Sequence, residues 1–388
     1  MRLMKYAAAA AMAMWSLSAV AQEPIRIGVV TPLSGTYAGI GQQVRWGLEL
    51  AAKEINDAGG IKGRKLELIF EDEEANPSVA VQKAEKLIQV NKVHFVTGTV
   101  NSASTLAVGQ LAERSGVLIA TTVSFADSIT GDRCSPNVFR VNAKAGQQSA
   151  ALAAWLAKEK PKSTVYFLGP DYEMGRSTVA AFKANVLRVG ANPVGEVFAP
   201  LDTKDYTQYF GQLRAPRAQV LYTSVAGNDT VRLFTQLAEF GLLKSLTVLG
   251  ASGTVTAQNI GAIGPAAEGF VTGVGYSAEI KTPENQKFLA AFRAAFKADP
   301  DLYGADSYGL LFAYKAAFEK AGTTDTDKMR EPFRGLKWNT PQGEKTIRPG
   351  DHQAIQPMYV VRVQNGKFVI ANQISGDEAI GEDTCKRF

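Results

Sequence analysis

The chain has 388 residues, 46% of them hydrophobic and 20% charged, with a formal net charge of +5. That size suits two ordinary domains, and the composition excludes a disordered or fibrous chain. So small a cationic excess, with no basic run interleaved with aromatics, argues against a nucleic-acid surface.

Chain order begins with an export signal. Arg2 and Lys5 precede an apolar run from Ala7 to about Leu17, closed by Ala19-Val20-Ala21. This is the form of a secretory signal peptide over residues 1–21, cleaved after Ala21, and it predicts a periplasmic protein. The run is too short to span a bilayer of about 30 Å. Cys134 and Cys385 are the only cysteines. In an oxidising compartment they are expected to pair, tying the early fold to the C-terminal tail; two separate thiols are the alternative. With two histidines, His94 and His352, at no zinc-type spacing, no metal site is expected.

After the signal, Ile25–Val30 reads as a buried strand, followed by the polar loop Ser34–Gly41 and an amphipathic helix Gln42–Ala58 that Gly59-Gly60 stops. Strands at Leu66–Phe70, Val93–Thr97 and Val117–Ala120 then alternate with a helix opened by Asn76-Pro77 and another at Ala103–Arg114. Beyond a junction near Phe139–Ala143 the rhythm resumes. Helices are expected at Ala145–Lys160, Gly175–Val189, Asp205–Arg214 and Asn228–Phe240, and strands at Thr164–Leu168, Val194–Phe198, Gln219–Thr223 and Thr247–Leu249. Two such series predict two doubly wound α/β domains with parallel sheets. From Phe270–Tyr276 the pattern changes: long helices at Pro283–Ala298 and Gly304–Ala321 suit the outside of the first domain. Met358–Val363 and Lys367–Ile374 form a hairpin across Asn365-Gly366.

Nothing in the chain assembles a catalytic set or a phosphate-binding loop: there is no G-x-S-x-G, G-x-G-x-x-G or G-x-x-x-x-G-K. Polar loops instead follow the strands, at Ser34–Gly41, Gly98–Ser102 and Thr121–Phe125, where open α/β sheets bind small ligands. Ser102 opens a helix, so its hydroxyl and the neighbouring N–H groups suit a carboxylate; capping that helix is its other role.

The segments IRIGVVTPLSG (Ile25–Gly35), INDAGGIKGRKLEL (Ile55–Leu68), DEEANPSVAVQKAEKLI (Asp72–Ile88), SGVLIATTVS (Ser115–Ser124), GPDYEMGRS (Gly169–Ser177) and AAEGFVTG (Ala266–Gly273) carry a resemblance. In order, over almost the whole mature chain, they resemble the leucine/isoleucine/valine-binding family of periplasmic solute-binding proteins, type I, serving ABC importers. The resemblance implies two Rossmann-like lobes joined by three hinge crossings. The lobes are residues 22–141 plus about 275–350, and 142–274 plus about 351–388. It also implies a monomer with no cofactor, which closes on a small carboxylate and docks on a membrane permease. A ligand-sensing subunit of the same fold is the alternative.

By position the resemblance implies ligand contacts at Ile40, Val100, Ser102, Val123, Ser124 and Phe125 in the first lobe. In the second it implies Tyr172 or Met174, Val225 or Ala226, Ser252 and Tyr276. Amino-acid binders of the family place a glutamate where Ser252 falls and a small hydroxyl residue where Phe125 falls. A buried ammonium without a carboxylate partner is costly. Asp171, Asn228 and Asp229 stand in other loops. The ligand is therefore either a branched-chain or related amino acid, or an aromatic or aliphatic carboxylate.

Overall fold

The computed structural model describes residues 23–388; the expected signal peptide lies outside them. The chain forms two open sheets with helices on both faces, plus a small three-stranded sheet. Strands β1 (Ile25–Thr31), β2 (Leu66–Asp72), β3 (Phe95–Thr97), β4 (Leu118–Thr121) and β5 (Val138–Arg140) make a fully parallel sheet in the order β2-β1-β3-β4-β5. Strands β6 (Thr164–Pro170), β7 (Asn192–Ala199), β8 (Val220–Thr223), β9 (Thr247–Gly250) and β10 (Val271–Val274) make the parallel part of the second sheet. The hairpin β14 (Met358–Gln364) and β15 (Lys367–Ile374) extends it antiparallel from β10. Between β10 and β14 in sequence, β11 (Lys337–Thr340), β12 (Gly343–Ile347) and β13 (Ala354–Ile355) form the small antiparallel sheet, which the sequence pattern did not reveal.

Five helices border the space between the two large sheets: α1 (Ala38–Asp57), α2 (Ser102–Ser115), α3 (Glu173–Arg188), α4 (Asn228–Glu239) and α5 (Leu302–Ala321). Helix α1 starts four residues earlier than its periodicity suggested, because the Ser34–Gly41 loop winds directly into it. Gly59 and Gly60 follow it at φ +101° and +80°, a conformation that favours glycine. Asp301 caps α5, its Oδ1 accepting from the Tyr303 and Gly304 N–H groups, and Gly322 in the left-handed region ends it. Helix α5 is buried nearly all round because it lies along α1 on one side and under β11 on the other; the Trp338 indole donates to the Gly309 carbonyl at 3.1 Å.

The chain passes between the sheets three times: after β5, after β10 and before β14. A buried cation organises two of these passages. Arg140, fully buried at the end of β5, donates to the Gln353 side-chain oxygen, the Thr130 hydroxyl and the carbonyls of Ser124 (3.2 Å) and Ala126 (2.7 Å). Gln353 in turn donates to the Asn142 carbonyl at 2.8 Å and the Gln147 side-chain oxygen at 3.1 Å. Nearby, the Lys345 ammonium donates to the Val141 carbonyl at 2.9 Å and pairs with Asp306, both side chains buried.

The stretch 351–388, expected in the second lobe, divides. Ala354 and Ile355 pair with β12, the hairpin joins the second sheet, and the tail beyond Gly381 returns to the first sheet's side. A disulfide joins Cys385 to Cys134 with Cα atoms 5.7 Å apart, and Arg387 pairs with Glu113 at 2.8 Å. Phe388 lies against His352, which stacks on Phe139 at 4.0 Å. The bond spans a sequence separation of 251. In the chain-entropy model, closing so long a loop stabilises by about 5 kcal/mol. Substituting Cys385→Ser is expected to lower the unfolding free energy by about 2–5 kcal/mol, read as a lower denaturant midpoint without reductant. An unchanged midpoint would show that the tail contributes nothing covalently.

Candidate ligand-binding cleft

The loops at the C-terminal ends of the strands in the two parallel arrays face one another and are closed together. Tyr37, just before α1, and Tyr172, just before α3, share a hydroxyl–hydroxyl hydrogen bond of 2.9 Å across the cleft. The Asn228 N–H donates to the Thr36 carbonyl at 3.3 Å, and the Ser128 hydroxyl to Glu173 at 2.7 Å.

Between the loops lies a slot. Tyr37, Ile40, Val100, Val123, Phe125 and Tyr303 line it from one side, and Tyr172, Met174, Ser224, Ala226, Ala251 and Gly253 from the other. Its cavity volume is about 20 Å³, far below the roughly 300–1,000 Å³ of a small-molecule site. The closed lobes therefore leave only a narrow slot. Phe125 and Tyr303 are near-parallel, their ring centroids 6.1 Å apart at 28°. Its lining side chains are aromatic, aliphatic or hydroxyl-bearing, and none is charged.

The field in the slot comes from the backbone. Helices α1, α2, α3, α4 and α5 all start beside it, so five positive dipole ends lie around it; α2 and α5 are capped by Asn101 and Asp301, while α1, α3 and α4 have no side-chain cap. Such ends favour an anion by roughly 0.3–1 kcal/mol each at the surface and more where water is excluded. Burial also holds the Tyr37, Tyr172 and Tyr303 phenols in their neutral, proton-donating form, far above the usual range.

Of the expected contacts, the cleft brings together Ile40, Val100, Val123, Phe125, Tyr172 and Ala226, with Met174 beside Tyr172. Ser102 and Ser124 lie behind the slot. Asn101, not Ser102, caps α2, its Oδ1 accepting from the Ala103 N–H at 2.9 Å. The Ser102 hydroxyl is fully buried and accepts from the Ala126 N–H at 3.3 Å. Ser124 is bonded to Thr105 and to the Thr99 and Val100 carbonyls, which spends its hydroxyl on pinning two loops together. Ser252 and Tyr276 do not line the slot; both line a separate cavity.

Sequence reasoning missed Tyr37, Ser224, Ala251, Gly253 and Tyr303. Tyr37 sat inside the flagged loop and Gly253 beside Ser252; Tyr303 arrives from a distant helix and carries no local signal. A Cβ on Gly253 would collide with the Tyr303 hydroxyl and meet the Phe125 ring at 3.2 Å. Gly253→Ala is therefore expected to weaken binding of any slot ligand tenfold or more, about 1.4 kcal/mol. A calorimetric titration giving the parent affinity would show that the wall yields.

Glu73, in the run of four acids Glu71–Glu74, is also buried at this site. Its Oε1 accepts from the Val100 N–H at 2.8 Å, while Oε2 has no partner among the described residues. Burial pushes it up to about 7. A carboxyl raised from 4.5 contributes stability fully present below pH 4.5 and lost as pH rises through 7, about 3 kcal/mol in all. His352, pushed down by burial to about 4, works in the opposite sense over part of that window. The difference between parent and Glu73→Gln isolates the carboxyl. The parent is expected to gain on the variant in melting temperature as pH falls from 8 to 5; a pH-independent gap would contradict it.

The same architecture recurs in known proteins. Residues 24–367 match the model of a family described as periplasmic binding protein. The chain belongs to that family, whose two-lobed α/β fold it shares. It is 29% identical over 308 residues to a Leu/Ile/Val-binding protein homolog of Brucella melitensis, covering 79% of this chain and 82% of that one. It is 27% identical to a leucine-, isoleucine-, valine-, threonine- and alanine-binding protein of Pseudomonas aeruginosa, covering 88% and 90%. Among solved structures, it superposes on an ABC-transporter solute-binding protein of Rhodopseudomonas palustris in complex with 3,4-dihydroxybenzoic acid. There the TM-score is 0.85 and the identity 26%, over 91% of this chain and 98% of that one. A second R. palustris solute-binding protein, in complex with 4-hydroxybenzoate, gives a TM-score of 0.83 at 25% identity, over 91% and 96%.

Proposed function

We propose that this protein is an exported, periplasmic solute-binding component of an ABC importer. It closes its two lobes, as a monomer, on one small aromatic carboxylate and presents the closed form to a membrane permease. The observation that carries the ligand class is the narrow slot with four aromatic rings and no carboxylate in its lining. An α-ammonium placed there would lose its hydration without gaining a counter-charge, a cost of several kcal/mol. A ring carboxylate meets aromatic faces, the phenol proton left free by the Tyr37–Tyr172 pair, the Tyr303 phenol and helix N-termini instead. The hydroxybenzoate complexes of the R. palustris relatives support this reading; the branched-chain binders among the curated relatives support the amino-acid alternative.

In this reading Tyr37 and Tyr172 act as a latch between the lobes. Contact energy gained by the ligand on both sides offsets the cost of closing, and the closed shape is what the permease recognises.

The protein, unfolded and refolded to strip carried-over ligand, is expected to gain melting temperature with benzoate, 4-hydroxybenzoate and 3,4-dihydroxybenzoate. Leucine, valine and phenylalanine are expected to leave it unchanged. Stabilisation by the amino acids and not by the benzoates would overturn the assignment. Tyr172→Phe removes the latch hydrogen bond and is expected to weaken the bound carboxylate two- to tenfold, the worth of about 0.5–1.5 kcal/mol.

A further inference from the structure

Behind the slot wall stands an acid without a counter-charge. Glu73 follows β2 directly and, alone among Glu71–Glu74, is fully buried. Glu71 pairs with Lys83 and Lys86, and Asp72 accepts from the Leu33 and Glu74 N–H groups and the Ser34 hydroxyl. Glu73 has no ion pair among the described residues. Its Oε1 accepts from the N–H of Val100, whose side chain lines the slot. The Asn101 N–H and the Ser104 hydroxyl, at the start of α2, stand beside the carboxyl. Neither the Ser104 oxygen nor Glu73 Oε2 completes a hydrogen bond among the described residues.

The ionisable groups around it are acids and neutral phenols. Asp72, on its own turn, repels its charge. Tyr172, across the slot, is close enough to feel the carboxyl. Asp229, at the start of α4, faces Tyr37 and Tyr172 but is tied to Arg232 and the Asp202 N–H. Asp301 faces Tyr303 and caps α5. Three carboxyls thus stand around a slot that is read as taking an anion, and only Asp229 has a cation paired to it. An anion entering so dry a space disfavours the charged form of the carboxyl behind Val100. Burial already pushes Glu73 up to about 7, so its proton exchanges near neutral pH.

We propose that Glu73 is a proton-coupled positioning residue: when the slot takes its carboxylate, Glu73 takes one proton from solvent, so the anion enters with its charge matched. This rests on the aromatic-carboxylate reading of the slot. Glu73 does not touch the ligand; it acts on it through charge, across Val100. In the protonated form Oε1 still accepts from the Val100 N–H, which keeps the slot-lining loop in place. The new proton on Oε2 is offered to the Ser104 hydroxyl. Capture therefore tightens as the surroundings acidify.

Calorimetric titration of the refolded protein with benzoate at pH 7, in phosphate and in Tris buffer, counts the protons exchanged on binding. An uptake of roughly 0.3–1 proton per benzoate is expected, with affinity about three- to tenfold higher at pH 6 than at pH 8. Benzoate itself stays ionised over that range. Glu73→Gln keeps an oxygen for the Val100 N–H and carries no charge. It is expected to bind with no proton uptake and a flat pH profile, and several-fold more tightly than the parent at pH 8. A merely structural residue would weaken binding on substitution at every pH. Melting curves report whether the variant has folded. If it has not, the infrared difference spectrum of the parent carries the test: a protonated-carboxyl band is expected to grow as benzoate binds. Benzoate binding without proton uptake, an uptake that survives in Glu73→Gln, or no such band overturns the proposal and leaves the slot assignment standing. If neither benzoate nor 4-hydroxybenzoate binds, the slot assignment falls and this coupling falls with it.

Discussion

A single buried guanidinium holds the working parts in register. Arg140 has no carboxylate among its hydrogen-bond partners; its charge is dispersed over two carbonyls, a hydroxyl and an amide oxygen. Burial lowers its pKa to about 10, still far above neutrality, so it remains charged. That burial is tolerable because the planar fork has a partner in every direction it needs one. Two of those partners, the Ser124 and Ala126 carbonyls, belong to the loop that presents Val123 and Phe125 to the slot. A third, Gln353, reaches into the first passage between the lobes. The floor of the cleft and the hinge are therefore parts of one polar network, and a shift in one is felt in the other.

The cleft itself follows a different rule. No charged side chain lines the slot, yet charge is handled throughout its surroundings: dipole ends at the rim, neutral phenols in the wall, Glu73 one layer behind. Fixed dipoles in a dry space favour an anion without a salt bridge, whose partner would itself need solvation whenever the lobes open. Closure by a phenol–phenol hydrogen bond suits that economy. It is neutral, and water replaces it readily on opening.

Much of the architecture was legible because strand and helix periodicities alternate so regularly, and because Asn76-Pro77, Gly59-Gly60 and Asn365-Gly366 mark turns and helix ends by local chemistry. The small sheet β11–β13 was not, since its strands are short and their stability comes from packing on α5. The site was half legible. Residues next to strand ends, such as Val100, Val123 and Phe125, fell where the topology requires. Ser102 and Ser124 misled because a hydroxyl beside a cleft serves a ligand or the protein's own backbone equally well, and only the fold decides which. Tyr303 and Glu73 were invisible for opposite reasons: one comes from far along the chain, the other looks like an ordinary solvated acid.

The path of the tail changes what the C-terminus reports. After the β14–β15 hairpin the chain leaves the second sheet and ends bonded to Cys134, with Phe388 covering His352. A fluorophore or affinity handle fused after Phe388 would thus ride on the first lobe, although the preceding strands belong to the second. A distance sensor built with its other dye on the first lobe would be silent to closure, whereas one placed on α3 or α4 would see the whole movement.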